Sequence, residues 1–286
     1  MKISGFTIIR NALINDYPIV EAIRSILPVV DEMIVLVGNS EDRTEDLIRD
    51  IPSEKIKIYH SLWDPSLTKG GKVLAVETDK ARQFISKDSD WSFYIQADEV
   101  IHEKYHDVIR KTAEKYKDDL RIEGLVFNYV HFYGNYEYVA DSRKWYSKEV
   151  RIIRNDPGIQ SYRDAQGFRR GTHKIHVKPV EATVYHYGWV KSPKKMKEKL
   201  NKVLEFWSDS IDEQVPEEAF DFSQFDSLQH FKGDHPAVMK KRIEEKNWHI
   251  DLDISKKKLK LKNKLLYWYE KKTGKRLFEF RNFKII

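Results

Sequence analysis

Apolar, β-branched runs alternate with helical stretches through the first hundred residues, and that alternation restricts the chain to an α/β fold built on a parallel sheet. Residues 3–9, 33–37, 55–59 and 91–95 read as four strands. The sheet's core strands are uncharged runs, as expected of strands covered on both faces. Between the first two, Asp16 is placed to cap a helix with Pro18 in its first turn and Ile19, Ile23, Ile26 and Leu27 on one face. A short helix is expected around 44–50 and a longer one over 72–86.

Beyond residue 100 the rhythm changes. Tyr105, Val108, Ile109, Thr112, Ala113 and Tyr116 keep helical spacing, and residues 125–133, 136–140, 149–154 and 183–186 read as strands joined by hairpin-like loops. From Ser192 onward the chain reads as mostly helical. Met196, Leu200, Val203 and Trp207 share a face, and Asp234 before Pro236 marks another helix start. The expected organisation is an α/β body over 1–190, changing character near 100, and a helical, basic extension over 191–286.

Composition narrows the class. At 41% hydrophobic and 34% charged residues the chain is globular rather than disordered. No apolar run approaches the roughly 18 residues of a membrane span, and the N-terminus lacks a signal-peptide core. The absence of Cys excludes disulfides, thiolate metal sites and a Cys nucleophile, and fits a cytoplasmic location. The net charge of +6 is uneven: residues 254–286 carry 12 Lys and Arg against 2 acids, so the rest is slightly acidic. That balance excludes a nucleic-acid-binding core. No Gly-x-Ser-x-Gly supports a serine hydrolase.

The fourth strand runs into Gln96-Ala97-Asp98-Glu99. Ligands of open α/β sheets sit at the carboxyl ends of strands, and carboxylates placed there suit a cation or substrate; a solvated loop with a helix cap reads the same way. The turn Val37-Gly38-Asn39-Ser40-Glu41-Asp42-Arg43-Thr44 is small enough for backbone to approach a base or ribose, or it is an ordinary turn capped by Thr44. Thr68-Lys69-Gly70-Gly71-Lys72 opens a helix with two glycines and could present N–H groups and Lys charge to a diphosphate, although it lacks the Walker spacing. His186 ends an apolar strand beside Gly188 and could complete the coordination of a cation at Asp98, or sit satisfied among aromatics. His173 and His176 could mimic a metal pair but lack a third ligand, and read as surface or substrate-lining residues. In Ser161-Tyr162-Arg163-Asp164-Ala165-Gln166-Gly167-Phe168, Asp164 could be a general base or a loop partner of Arg163 or Arg169.

In this order, the pieces resemble a family 2 glycosyltransferase of the GT-A fold, of the bacterial type that makes surface polysaccharide. Thr7-Ile8-Ile9-Arg10-Asn11 resembles the family's first-strand ending; residues 30–37 with Ser40-Glu41-Asp42-Arg43-Thr44 resemble its second strand and turn; Asp90-Trp91 through Asp98-Glu99 resembles the strand ending in Asp-Ala-Asp-Glu. The likeness covers roughly residues 3–190. Gln96 stands where the family's first acid usually lies, Val37 or Gly38 where an acid commonly reads the base, and Asp79 where Asn is frequent.

The resemblance implies a Rossmann-like mixed, mostly parallel sheet flanked by helices, with a nucleotide-binding half to about 100 and an acceptor half to 190. It implies inverting transfer of a sugar from a nucleotide-diphosphate donor, UDP-type by expectation, to a sugar or lipid-linked acceptor. Asp98 and His186 would hold Mg²⁺ or Mn²⁺; Arg10, Asn39, Lys72, Asp79, Gln96 and Asp98 would line the nucleotide. Asp164 is the expected base, with Asp141 behind it. Leu259, Leu265, Leu266 and Tyr269 interleave with Lys, as in a helix lying on a membrane surface, or in one docked on the body. A sugar-phosphate nucleotidyltransferase or a non-catalytic nucleotide-sugar-binding protein of the same fold remains open; the former would want a Gly-rich, basic N-terminal loop, for which residues 1–15 offer Gly5 and Arg10.

Overall fold

The computed structural model describes residues 1–67, 70–207, 220–255 and 257–286, with the backbone alone for 202–207. Strand β1 (Ile3–Ile9), helix α1 (Ile19–Ile26), β2 (Glu32–Val37), α2 (Thr44–Arg49), β3 (Ile56–His60), α3 (Lys72–Arg82) and β4 (Trp91–Tyr94) form the expected succession of βα units. Next come β5 (Glu99–Ile101), α4 (His106–Lys115), β6 (Gly124–Tyr133), β7 (Tyr138–Ala140) and β8 (Lys148–Arg154). After them run β9 (Ile159–Tyr162), β10 (Gly167–Arg170), β11 (His173–Lys174) and β12 (His176–Trp189). The remainder holds α5 (Pro193–Trp207), β13 (Leu228–His230), α6 (Lys240–Glu244), α7 (Leu261–Thr273) and β14 (Lys284–Ile285).

The fold is α/β, on a mixed sheet of 11 strands with a separate sheet of 3. The β3-β2-β1-β4 portion is parallel, and β8 joins β4 antiparallel, followed by β6, β7 and β13. All seven residues of β1 and all six of β2 are buried, because helices cover both faces. One face packs Ile19, Ile23 and Ile26 of α1 and Ile109 of α4 on Phe93, Leu125 and Ile152. The other packs Ala81 of α3 on Phe6, Ile34 and Tyr94, with Phe168 of the small sheet beside them. Every parallel strand of this portion therefore delivers its carboxyl end to one edge.

Three expectations change. Asp16 is not the cap of α1: Pro18 holds that position without a side-chain cap, while Asp16 adopts a left-handed backbone (φ 51°) and its carboxylate pairs with Arg242. The fourth late strand runs far beyond 183–186, with β12 lying parallel to β6 along most of its 14 residues. The region after 190 contributes strands as well as helices, since β13 extends β7 and β14 pairs with β12. Val203 and Trp207 lie outside the described side chains.

At the centre lies a buried ion pair. Arg151 of β8 grips Glu99 of β5 with Nε–Oε2 at 2.8 Å and Nη2–Oε1 at 2.7 Å, both side chains fully inaccessible. The Tyr129 hydroxyl donates to the same carboxylate at 2.6 Å and the Gln96 N–H at 3.1 Å. Arg151 also donates to the Gln166 carbonyl at 2.8 Å. Removing one partner leaves an uncompensated buried charge, so Arg151→Met should cost roughly 3–5 kcal/mol, with the apolar double variant Glu99→Leu/Arg151→Met recovering much of it. Urea unfolding of the three proteins checks this; a loss under about 1 kcal/mol for the single variant would refute the pair's structural role.

Candidate active site

At the carboxyl edge of the sheet, the ends of β1 and β2 meet the chain leaving β3. Arg10 follows β1 and donates Nε to the Asn39 carbonyl at 3.3 Å, and its guanidinium lies 6.0 Å from the Trp63 ring. Asn39 accepts the Trp63 N–H at 3.2 Å. Gly38 is required here, because a Cβ would stand 2.4 Å from the Trp63 indole nitrogen. Asn11, in a left-handed conformation (φ 55°), accepts the Glu41 N–H at 2.7 Å and ties the two turns together. Arg10 and Asn39 are thus neighbours beside a half-buried aromatic plane. Nothing in the sequence marked Trp63.

A cavity of about 740 Å³ opens next to this edge and brings together Lys72, Asp79 and Asp164, with Arg163 and Gln166. Lys72 begins α3 after Gly71, whose φ of 67° suits glycine; Thr68 and Lys69 lie outside the described residues. Asp79, one helical face along, accepts the Ser161 N–H at 2.9 Å. Asp164 sits in the β9–β10 turn between Arg163 and Ala165, both at positive φ. Burial pushes both carboxyls above their ordinary range, against the pull of Arg82 on Asp79 and of Arg151 and Arg163 on Asp164. Gln96 bridges the β4 tip to this turn, donating Nε2 to the Ala165 carbonyl at 3.3 Å.

Asp98, at the tip, and His186 face each other, with Oδ2 and Nε2 3.7 Å apart and side chains only 14% and 12% exposed. The imidazole's tautomer follows from its neighbours. His131 Nε2 lies 2.9 Å from the Tyr146 carbonyl, which can only accept, so that nitrogen carries the proton. Its Nδ1 is then an acceptor for His186 Nδ1–H at 3.2 Å. His186 is left with a bare Nε2 lone pair towards Asp98. Burial holds His131 neutral, pushed down to about 3, and lowers His186 against the pull of Asp98. The Asp98 carboxyl, raised by burial, is brought net below its usual range by His186 in its protonated form, Lys199 and Lys191.

Two acceptors facing each other without a proton between them suit a cation. Their 3.7 Å separation admits an ion bonded at about 2.1 Å to each. The space is open only because residue 188 is glycine: a Cβ there would lie 2.6 Å from Asp98 Oδ2 and 2.8 Å from His186 Nε2. Among the described residues no group of three or more His, Asp or Glu could hold a metal alone, so phosphate and water would complete the shell, as Mg²⁺ prefers. The donor set therefore fits a divalent ion that takes its other ligands from outside the chain. Glu99, the second acid of the tip, faces inward onto Arg151 and is not available to a cation.

Two lysines missed by sequence reasoning complete the surroundings. Lys199 of α5 donates Nζ to the Gly188 carbonyl at 2.8 Å and stands 3.5 Å from Asp98 Oδ2. Lys191, buried, donates to the Asp16 carbonyl at 2.5 Å, and burial lowers its ammonium to about 7. Asp141 is placed otherwise. Its side chain accepts the Tyr267 hydroxyl of α7 at 2.5 Å and lies 3.4 Å from Lys271, an anchorage for the C-terminal helix.

No family model matches the chain, and no curated protein does. Solved structures similar to it include Staphylococcus aureus TarS 1-349 in complex with UDP-GlcNAc, at 17% identity and TM-score 0.39, covering 71% of this chain and 65% of that one. Glucosyl-3-phosphoglycerate synthase from Mycobacterium tuberculosis, in complex with Mn²⁺, UDP and phosphoglyceric acid, aligns at 18% identity and TM-score 0.32, covering 46% and 43%. 4-Diphosphocytidyl-2C-methyl-D-erythritol synthase from Anaerococcus prevotii aligns at 11% identity and TM-score 0.34, covering 54% and 70%. The chain spans 64% of TarS 1-349. At these identities and TM-scores the likenesses place no residue.

If His131 sets the His186 tautomer, His131→Phe should weaken Mn²⁺ binding by about 10–100-fold while the protein still unfolds cooperatively. Titration of the free Mn²⁺ signal by electron paramagnetic resonance, with UDP present, reads this; an unchanged affinity would refute the relay.

Proposed function

We propose that the chain is a glycosyltransferase that moves a sugar from a nucleoside-diphosphate donor to an acceptor hydroxyl with inversion. The observation that carries this reading is the Asp98–His186 pair, aimed at one gap beside Gly188 at the carboxyl end of the sheet. In this reading Arg10, Asn39 and Trp63 receive the nucleoside, Lys72 and Asp79 line its approach, and Gln96 fixes the tip. Asp98 and His186 would hold Mg²⁺ or Mn²⁺, whose charge would offset that gathering on a leaving diphosphate. The acceptor oxygen attacks the anomeric carbon from the opposite side, its proton passes to Asp164, and the nucleoside diphosphate leaves. Burial raises the Asp164 carboxyl, which makes it a stronger proton acceptor near neutral pH. Residues 1–190 form the catalytic body, and residues 191–286 complete the site through Lys199 and anchor on Asp141.

A thermal-shift panel of UDP, GDP, dTDP and ADP, each with and without Mn²⁺, tests the donor site. One nucleotide should raise the midpoint, and more so with metal, because a ligand that binds only the folded state stabilises it. Silence across the panel would sink the reading. With the responding nucleotide-sugar, Asp164→Asn should keep that shift yet lose at least about 100-fold in transfer, about 2.7 kcal/mol of barrier. Near-full turnover would remove Asp164 as base, and a tight shift without any transfer in the parent would favour a binding protein.

The acceptor reading extends to a lipid-linked sugar at an anionic membrane surface. Helix α7 turns Tyr267 and Glu270 onto Asp141 and Arg143 of the body. Leu261, Leu265 and Trp268, at one helical stripe, stay 82%, 71% and 60% exposed among Lys260, Lys262, Lys264 and Lys272. No helix among the described residues is long and apolar enough to cross a membrane, so contact would be peripheral. The triple variant L261S/L265S/W268S should lose flotation with anionic vesicles while neutral vesicles recruit neither protein; equal flotation of variant and parent would remove the membrane contact.

A further inference from the structure

The cation gap of the active site already has a charged neighbour supplied by the chain itself. Lys199 reaches it from α5, and its ammonium meets a carbonyl, a carboxylate and an aromatic ring there. It donates to the Gly188 carbonyl at 2.8 Å, faces Asp98 Oδ2 at 3.5 Å and stands 5.3 Å from the centre of the Tyr17 ring. Only 15% of its side chain is exposed. Gly188, whose missing Cβ opens the gap between Asp98 and His186, is thus also the residue whose carbonyl holds the lysine. Without a cation, the Asp98 carboxylate would be buried beside a bare imidazole lone pair, an arrangement that is costly unless a positive charge compensates it.

We propose that Lys199 is the resting cation of the site, exchanging with a divalent ion that enters bound to a diphosphate. A divalent ion bonded to Asp98 Oδ2 would lie within a few ångströms of the ammonium, and like charges so close in a water-poor site repel strongly. The empty enzyme therefore binds the free ion poorly. A diphosphate changes the balance by offering oxygens to both cations: the ion takes Asp98 and His186, while Lys199 turns from Asp98 onto phosphate oxygen. Metal and nucleotide then bind with positive coupling, each raising the affinity for the other by the same factor.

This inference rests on the metal-assisted reading above, and one experiment separates their failures. Mn²⁺ binding is followed by electron paramagnetic resonance for the full-length protein and for Lys199→Met, Lys199→Gln and Lys199→Arg, each with and without UDP. Without UDP, the Met and Gln variants should bind Mn²⁺ at least about tenfold more tightly than the parent and the Arg variant should not. The parent's affinity should rise on adding UDP by a larger factor than that of the Met variant. Equal or weaker Mn²⁺ binding by both neutral variants without UDP, with Asp98→Asn still abolishing binding, overturns the exchange alone. Mn²⁺ binding indifferent to Asp98→Asn in both the parent and Lys199→Met overturns the metal site itself.

Discussion

The Glu99–Arg151 pair is the constraint on which the rest of the site depends. Two charges removed from water are tolerable only when every lone pair and proton finds a partner, and here the pair does so by drawing on separate strands. Glu99 comes from β5, Arg151 from β8, the Tyr129 hydroxyl from β6, and the Gln166 carbonyl from the β9–β10 turn. The guanidinium also lies 5.5 Å from the Tyr94 ring and 5.3 Å from that of Tyr129. Strands β5, β6 and β8 and the β9–β10 turn are thereby fixed to one point, a few residues from the β4 tip.

That fixation explains how two adjacent acids take opposite roles. Asp98 lies in the turn after β4 and Glu99 opens β5, so the two adjacent acids meet different surroundings. Glu99 turns in, meets Arg151 and becomes structural. Asp98 turns out towards His186 and Lys199, 3.7 and 3.5 Å from its Oδ2, and retains lone pairs for a ligand. The same inner network accepts Gln96 N–H on Glu99 and places Gln96 Nε2 on Ala165, which sets the turn carrying Asp164. A glutamine at this position, where the resembling family usually has an acid, acts as a strut between the tip and that turn.

How much of this was legible in the sequence depended on the range of the interactions. β1 spans residues 3–9 as read, and the tip of β4 stands where its apolar run ends, because local periodicity reports burial directly. Asp98 and His186 could be paired in advance as strand-end residues, yet the partner that fixes the imidazole, His131, sits 55 positions away and carries no signal but its place in an aromatic strand. Glu99 looked like a second ligand since nothing local announces Arg151. Asp16 looked like a cap because Asp before Pro is a good local sign; tertiary contact with Arg242 overrides it. Lys199 was hidden by composition, as a lysine in a Lys-rich amphipathic helix reads as solvated. The β9–β10 hairpin was seen only as a polar island, although Arg163 and Ala165 at positive φ show that its turn is held by packing rather than by turn-forming residues.

The late part of the chain is bound into the body by charge. Asp16 offers its carbonyl to Lys191 and its carboxylate to Arg242; Asp141 receives Tyr267 and Lys271; Glu270 pairs with Arg143. Each contact joins a residue after 190 to one in the first 145. These partly buried pairs lose less to solvent screening than surface pairs do, and they consume part of the positive charge that makes the C-terminal region basic. What remains unpaired on α7 is the outer stripe of Leu261, Leu265 and Trp268 with its lysines, so docking of the inner face orients the outer one. The extension thus turns in two directions: α5 sends Lys199 inward to Asp98, and α7 turns a basic, apolar edge outward. A substitution on one helix should leave the other's placement intact, since among the described residues no hydrogen bond or ion pair joins α5 to α7.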